Sequence, residues 1–295
     1  LVVGATEGQE IVRVFVTGAG GQLGHEIVRC SIEAGHTTSS STHDSLDITD
    51  EQAVRAAITD ARPDVVIHAA AWTAVDACES DTDKAMLVNG AATQFVADAA
   101  HAVGAHVVYI STDYVFDGTK SSPYVEADAP NPTSVYGKSK LAGEQAMGPN
   151  DAIVRIAWVS GFHGSNMVKT ILRIADQPTL QFVDDQIGNP TFADDAAAMI
   201  VRLATEKRSG IWHVTNQGVA SWFQFARDVL IAAGLNAEKV EPISTSQLQP
   251  LRPASRPANS VLHNGSLLAA GIELLPNYQA ALTRLVRQLQ ANHQE

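Results

Sequence analysis

Arg13-Val-Phe-Val-Thr-Gly-Ala-Gly-Gly-Gln-Leu-Gly24 is the stretch whose reading decides the fold. Arg13 to Thr17 is a short β-rich run, suited to a strand buried on both faces of a parallel sheet. Gly18, Gly21 and Gly24 follow at once in a G-x-x-G-x-x-G pattern. From Gln22 to Ala34 the apolar residues recur with a helical period, and Gly35 supplies the stop. Glycines in that setting let the backbone approach a pyrophosphate, while the helix N-terminus offers N–H donors and positive potential. Strand, glycine turn and helix in succession predict an α/β fold, a Rossmann-type doubly wound parallel sheet, with a dinucleotide over the turn.

The chain on either side continues the alternation. A weak strand is expected at Thr37 to Ser41. The region that would carry an acid for a ribose 2′-hydroxyl reads Thr37-Thr-Ser-Ser-Ser-Thr-His43, with no acid, and leans towards NADP(H). Thr49 with Gln52 three residues on reads as a capping box opening a helix to Ala61. Asp47 and Ile48 before it would sit over the adenine. Asp64 to His68 is another buried strand, followed by Ala69-Ala-Ala71, small enough for a cofactor ribose to pass. Asp81 to Val103 reads as one long helix ending at Gly104. Asn89 inside it is either a surface amide or a buried polar brace. Ala105 to Ile110 is the next strand, and it ends in Ser111-Thr-Asp-Tyr-Val-Phe-Asp-Gly118. A hydroxyl, hydroxyl, carboxylate cluster at a strand's carboxyl end is where open α/β sheets contact ligands. Gly118 to Thr133, proline-rich and polar, reads as a lid.

Ser134-Val-Tyr-Gly-Lys-Ser-Lys140 then opens a helix. Tyr136 and Lys140, four residues apart, share one face of it. A free phenol titrates near ~10. An ammonium at ~4 Å, with an effective dielectric of ~20, favours the phenolate by roughly 4 kcal/mol, so the pair can exchange a proton near neutrality. Later elements are a strand at Asp151 to Trp158, a helix near Asn166 to Ala175, a turn-ended strand at Gln181 to Pro190, a helix at Thr191 to Ala204 and a strand at Ile211 to Val214. A helix capped by Ser221 runs to Ala233, and a closing amphipathic helix covers Tyr278 to Gln290. Gln249 to Pro257, with three prolines in nine residues, cannot be a regular helix. It carries Arg252 and Arg256, local cations able to meet a substrate phosphate.

The bulk numbers narrow the function classes. A net charge of −12 with no basic tract excludes a nucleic-acid binder and leaves any phosphate to local groups. Cys30 and Cys78 form neither a disulfide framework nor a metal-ligand spacing. No signal peptide and no apolar run near 18 residues is seen, so a cytoplasmic protein without membrane contact is expected. Leu1 to Glu10 is read as an extension without function. The nucleotide-binding domain is expected over 11–158, with returning segments near 191–215. Residues 159–190 and 216–295 would mainly form a smaller C-terminal substrate-binding lobe.

Together these residues resemble the extended short-chain dehydrogenase/reductase family, over nearly everything from Arg13 to about Leu289. The resemblance rests on Val16 to Gly24, Asp47-Ile-Thr-Asp50, Ala69 to Asp76, Ser111 to Gly118, Tyr136-Gly-Lys-Ser-Lys-Leu-Ala-Gly-Glu144, Arg155 to Val159, Asp184-Asp-Gln-Ile-Gly-Asn-Pro-Thr191 and Arg256-Pro-Ala-Asn-Ser260. It implies a catalytic set of Thr112, Tyr136 and Lys140, with Tyr136 as proton donor to a ketone oxygen. It implies cofactor contacts at Gly18, Gly21, Gln22, Leu23, Gly24, Asp47, Ile48, Ala70, Ala71, Trp72, Thr73, Tyr136 and Lys140. Thr112, Asp113, Trp158 and Arg256 would meet the substrate. The cofactor would be NADPH, with NADH as the alternative, and no metal is expected. The Ser-Thr-Asp-Tyr-Val-Phe and Asp-Gln-x-Gly-x-Pro-Thr runs imply a dTDP-sugar substrate. The activity implied is reduction of the C4 ketone of dTDP-6-deoxy-L-lyxo-4-hexulose to dTDP-L-rhamnose. The alternatives are another dTDP-4-keto-6-deoxysugar, which Ser160 in place of the family's Tyr raises, or a non-catalytic role like that of the regulatory β-subunit of methionine adenosyltransferase, which the chain also resembles. Trp72 departs from a more usual His or Tyr. A homodimer is compatible with the resemblance.

Overall fold

The computed structural model describes residues 10–292, so the reading of Leu1 to Glu10 lies, Glu10 apart, outside the described residues. β1 (Arg13–Thr17) leads through the glycine turn into α1 (Gln22–Glu33), and β2 (Thr37–Ser41) and α2 (Glu51–Ala61) repeat the unit. β3 (Val65–His68) is buried throughout. It is followed by α3 (Val75–Ser80), α4 (Thr82–Met86), a π-helical turn at Leu87–Ala91, and α5 (Ala92–Ala102). β4 (His106–Thr112), α6 (Val135–Gln145), β5 (Ala152–Ile156) and β6 (Val159–Ser160) come next. Then follow α7 (Met167–Arg173), β7 (Leu180–Val183), β8 (Ile187–Gly188), β9 (Thr191–Phe192) and α8 (Ala193–Thr205). The chain closes with β10 (Gly210–His213), β11 (Ala220–Ser221), α9 (Trp222–Ala232), β12 (Val240–Ile243), α10 (Gly265–Ala269) and α11 (Tyr278–Asn292).

Six strands form one parallel sheet in the order β10-β5-β4-β3-β1-β2. The order reverses between β1 and β3, which are in register from Val14↔Val65 to Thr17↔His68. That reversal opens the crevice in which such sheets bind ligands. Each face of the sheet has its own core. Val14, Val16, Ile67 and Val154 pack under α1 and α8, and Phe15, Val66 and Val107 pack under α2 and α5. Full burial of a Val or Ile stabilises by roughly 1.5–3 kcal/mol, so these apolar strand runs dictate the layer. A third core joins α7, α9 and α11 through Ile171, Phe225, Val229, Leu282 and Val286. The segment 191–215 returns to the large sheet through α8 and β10. Leu267, Ile272 and Leu275 also pack into the first core, a return that the sequence pattern did not signal.

Several local readings change. The cap of α2 is Asp50, whose carboxylate accepts from the Gln52 and Ala53 N–H groups at 3.0 Å; Thr49 instead donates its hydroxyl to Asp47 at 2.7 Å. Both residues are good caps, and the charged carboxylate one position later wins. The long helix expected from Asp81 is continuous from Thr82 to Ala102, with one turn widened to a π-helix at Leu87–Ala91 around Asn89. There Asn89 is 1 % exposed and clips the backbone of Trp72, accepting from its N–H at 2.8 Å and donating to its carbonyl at 3.1 Å. The brace reading is correct, and its geometry accounts for the wider turn. Thr191 and Phe192 form a strand paired with β6 before the helix begins. Gly118 to Thr133 is pinned rather than free: Tyr124 N–H donates to the Val261 carbonyl at 2.7 Å, and Asp117 accepts from Tyr124 and Asn131.

Candidate active site

The glycine turn is built by close approach. Gly18 has φ +74°, and a Cβ there would stand 2.6 Å from the Ala70 nitrogen. A Cβ on Gly24 would collide with the Gly18 carbonyl, so the third glycine lets α1 start directly against the turn. Gly21 caps the helix in extended backbone, and the first-turn N–H groups stay available to an anion. A crevice of about 520 Å³ runs from this turn across Thr42, His43, Asp47, Ile48, Ala69, Ala70, Ala71 and Trp72. Asp47 is fixed by the Thr49 hydroxyl and N–H, which hold its carboxyl below the usual range. A backbone that admits no Cβ, a free helix N-terminus and a floor of alanines fit a dinucleotide along its length.

A second cavity of about 360 Å³ shares Gly18, Gly21, Ala69 and Ala71 with the first and continues to Thr73, Thr112, Asp113, Tyr136, Lys140 and Trp158. Every expected site residue except Arg256 therefore lines one continuous crevice. Gln22 is there too, with its amide oxygen accepting from Asn166 at 3.0 Å.

Tyr136 and Lys140 ride on α6, whose cap Ser134 accepts from the Gly137 N–H at 3.1 Å. Lys140 is buried, donates to the Ile110 carbonyl at 2.7 Å, and lies 4.2 Å from the centre of the Tyr109 ring. Burial pulls its ammonium down to about 7, with Glu144 opposing. The Tyr136 phenol moves the other way. Burial raises it, the Asp113 charge raises it further, and only the Thr112 hydroxyl works against them. Burial, not a Coulomb pairing of the two, is the largest influence on each: it raises the phenol and lowers the ammonium. The outcome suits a proton donor: the phenol stays protonated. Tyr114 packs edge-on to it at 5.5 Å and is itself pushed up to about 12 by burial.

Asp113 is 2 % exposed. One carboxylate oxygen accepts from the Thr112 hydroxyl at 3.0 Å; the other lies near the Ser260 hydroxyl without a bond of good geometry. Burial raises its carboxyl to about 6. Ser111, the first hydroxyl of that run, also lines this second cavity, but its hydroxyl donates to Glu144 at 2.5 Å. Glu144 is also paired with Arg155 through two bonds of 2.8 and 2.7 Å, which anchors α6 to β5. Removing either partner of such a buried pair costs about 3–5 kcal/mol.

Arg256 is spent elsewhere. It makes a two-pronged pair with Asp76, at 3.0 and 2.8 Å, and a third bond to the Ala254 carbonyl. Arg252 reaches the same carboxylate at 3.8 Å. The clamp joins the proline-rich stretch to α3, beside Tyr114. The sequence reading missed Trp222, which lines the sugar-side cavity; it follows a helix cap and carries no motif. It also missed Lys84, which lines the dinucleotide crevice with its amine 4.5 Å from the Trp72 ring centre. Away from the crevice, among the described residues, His25, Glu26 and His163 each bring one ligand atom within 4.8 Å of the others. Glu26 is already paired with Arg29 at 2.7 Å. No helix among the described residues is long and apolar enough to cross a membrane.

The model of a family described as RmlD substrate binding domain matches residues 12–291. The chain is 42% identical over 281 residues to a dTDP-4-dehydrorhamnose reductase of Streptomyces griseus, covering 92% of each chain. It is 40% identical over 266 residues to the spore coat polysaccharide biosynthesis protein SpsK of Bacillus subtilis, covering 89% of this chain and 93% of the other. A solved dTDP-4-dehydrorhamnose reductase from Bacillus anthracis, in complex with NADP, superposes with a TM-score of 0.89 at 36% identity, covering 95% of this chain and all of that one.

Proposed function

The chain belongs to the RmlD substrate binding domain family, and from that premise we propose that it reduces the C4 ketone of dTDP-4-dehydrorhamnose with NADPH, giving dTDP-L-rhamnose. The observation that carries the chemistry is the meeting of Thr112, Tyr136 and Lys140 where the dinucleotide crevice opens into the sugar-side cavity. The dinucleotide, when bound, supplies the hydride. The chain's own residues do the rest. The glycine turn and the alanine floor orient the dinucleotide so that its reactive end reaches Lys140 and Tyr136. Tyr136, held protonated by its surroundings, gives a proton to the ketone oxygen as charge develops there. Thr112 turns the single hydroxyl proton that it gives Asp113 towards that oxygen as a second hydrogen bond, which stabilises the developing charge. Lys140, buried with a backbone carbonyl as its partner, holds the nicotinamide ribose.

Asp113 and Trp158 contact the sugar in this reading. Arg256 serves the sugar nucleotide by holding the 250–257 stretch to Asp76, with two guanidinium donors left over. In this reading the large lobe takes in 11–158 and the 191–215 return, joined by Leu267 to Leu275, and the small lobe the remaining segments. The protein acts in the cytoplasm on a nucleotide-sugar partner. The test is a coupled assay in which an upstream dehydratase and epimerase generate the ketone from dTDP-glucose, and NADPH absorbance is followed on adding this protein. Rapid oxidation with dTDP-rhamnose as product is the expected result. NADPH binding without oxidation would move the assignment to another dTDP-4-keto sugar or to a regulatory role.

A further inference from the structure

Trp158 and Trp222 stack with ring centres 3.6 Å apart and planes within 5°. They come from different segments of the chain and line the same cavity. Trp158 follows β5 of the large sheet, and Trp222 opens α9 in the small lobe. Trp158 has φ +47°, a left-handed backbone that a bulky residue holds only when its surroundings force it. Three contacts do so. Its carbonyl accepts from Thr191 N–H at 3.3 Å. Its indole edge faces Gly188 so closely that a Cβ there would stand 2.7 Å from Cε2 and Nε1. Trp222 covers one ring face. Trp222 is itself fixed by the cap before it, because Ser221 accepts from the Gln224 N–H at 3.0 Å and donates to Asp184 at 2.5 Å. Phe225 backs both indoles edge-on, at 6.5 and 6.0 Å.

We propose that Trp222 is a positioning residue for the sugar-nucleotide substrate: by stacking on Trp158 it fixes an apolar wall of the sugar-side cavity that Tyr136 also lines. An indole wall suits the C–H face of a deoxysugar ring, and a wall that wanders would bind the sugar loosely while leaving the dinucleotide half untouched. The inference rests on the reductase reading above.

The test compares Trp222→Ala, Trp222→Phe and Gly188→Ala with wild type in the coupled assay, together with direct NADPH titration. Trp222→Ala should raise KM for the sugar nucleotide by about tenfold, equivalent to about 1.4 kcal/mol, with NADPH affinity unchanged. Trp222→Phe should restore most of that loss. Gly188→Ala, which removes neither indole but pushes on Trp158, should raise the same KM. The exciton couplet of the stacked indoles in circular dichroism should vanish in Trp222→Ala and shrink in Gly188→Ala. Unchanged sugar KM in an active Trp222→Ala enzyme overturns the proposal. Equal loss of NADPH and sugar binding also overturns it, since that marks a merely structural role. A wild type that binds NADPH yet leaves the sugar unreduced refutes the reductase reading, and this proposal with it.

Discussion

The dinucleotide half of the crevice is lined from Gly18 to Val88, by strand ends and the turns directly after them with Lys84 and Val88 from one helix, whereas the sugar half reaches from Gly18 to Trp222. In the first, contacts run mostly between neighbours in the sheet, such as Gly18 against Ala70 and Asp47 against Thr49. In the second they span the chain: Trp158 stacks on Trp222, Gln22 accepts from Asn166 across 144 positions, and behind the wall Asp76 holds Arg256 across 180. A local wall is one that a short motif can specify. A wall assembled from remote segments depends on the packing of two lobes, so its residues carry no signature of their own.

Tyr136 stands where the halves meet, and replacing it should have the largest effect. Tyr136→Phe should lower kcat by about 10²–10⁴-fold, the usual weight of a general acid, while NADPH and the sugar nucleotide still bind. Single-turnover kinetics beside NADPH titration would check both. Near-normal turnover would break the comparison at its centre, because the proton would then come from a group in one half alone.

Lys140 sharpens the comparison through pH. Burial holds it near 7, while an unfolded lysine titrates near 10.5. Between those values the unfolded chain binds the extra proton, so the native protein gains stability as pH rises, by at most about 1.4 kcal/mol per pH unit. Lys140→Met lacks that gain. Denaturant titrations of both proteins at about pH 7 and about pH 9 should show wild type pulling ahead, by up to about 2 kcal/mol. Parallel behaviour would mean that the buried amine keeps its charge.

The same division explains what was legible in the sequence. Gly18, Gly21 and Gly24 could be read because backbone geometry admits nothing larger there, and β1, β3 and β4 because burial on both faces demands apolar runs. Tyr136 and Lys140 could be placed on one helix face by spacing alone. Their proton affinities could not, since those follow from burial that only the assembled lobes create. Asn89 was ambiguous because its partner, the Trp72 backbone, is 17 positions away. Ser111 reads as part of a ligand cluster, but its hydroxyl goes to Glu144, which Arg155 holds. Trp222 was invisible because a tryptophan after a helix cap looks like any core residue until Trp158 is laid against it.

Gly18→Ala should damage the dinucleotide half alone. The new Cβ would meet the Ala70 backbone at 2.6 Å in a left-handed conformation, itself worth about 1–2 kcal/mol. NADPH affinity should fall by at least about tenfold, or about 1.4 kcal/mol, as read by titration. Thermal unfolding should shift down with it. Unchanged affinity would mean that the turn can open without cost and is not what holds the pyrophosphate.

Asp76→Ala addresses the sugar half at its rim, where the smallest effect is expected. The carboxylate is 37 % exposed and its Arg256 partner 13 %. Water screens such a pair, so its loss costs about 0.2–1 kcal/mol, and the sugar-nucleotide KM should rise only about two- to fivefold. NADPH affinity should not move, because neither residue lines the dinucleotide crevice. The sign of the KM change carries the information. A rise means that Asp76 earns its place by holding Arg256 and the 250–257 stretch in position. A fall means that the carboxylate competes with the substrate's diphosphate for the same guanidinium, and releasing it improves binding. Arg256→Ala separates these cases again: it should raise KM in both, but by more than Asp76→Ala only when the guanidinium itself meets the phosphate. A remote pair of this kind can thus be assigned by the order of two small numbers, which no motif at either end would have supplied.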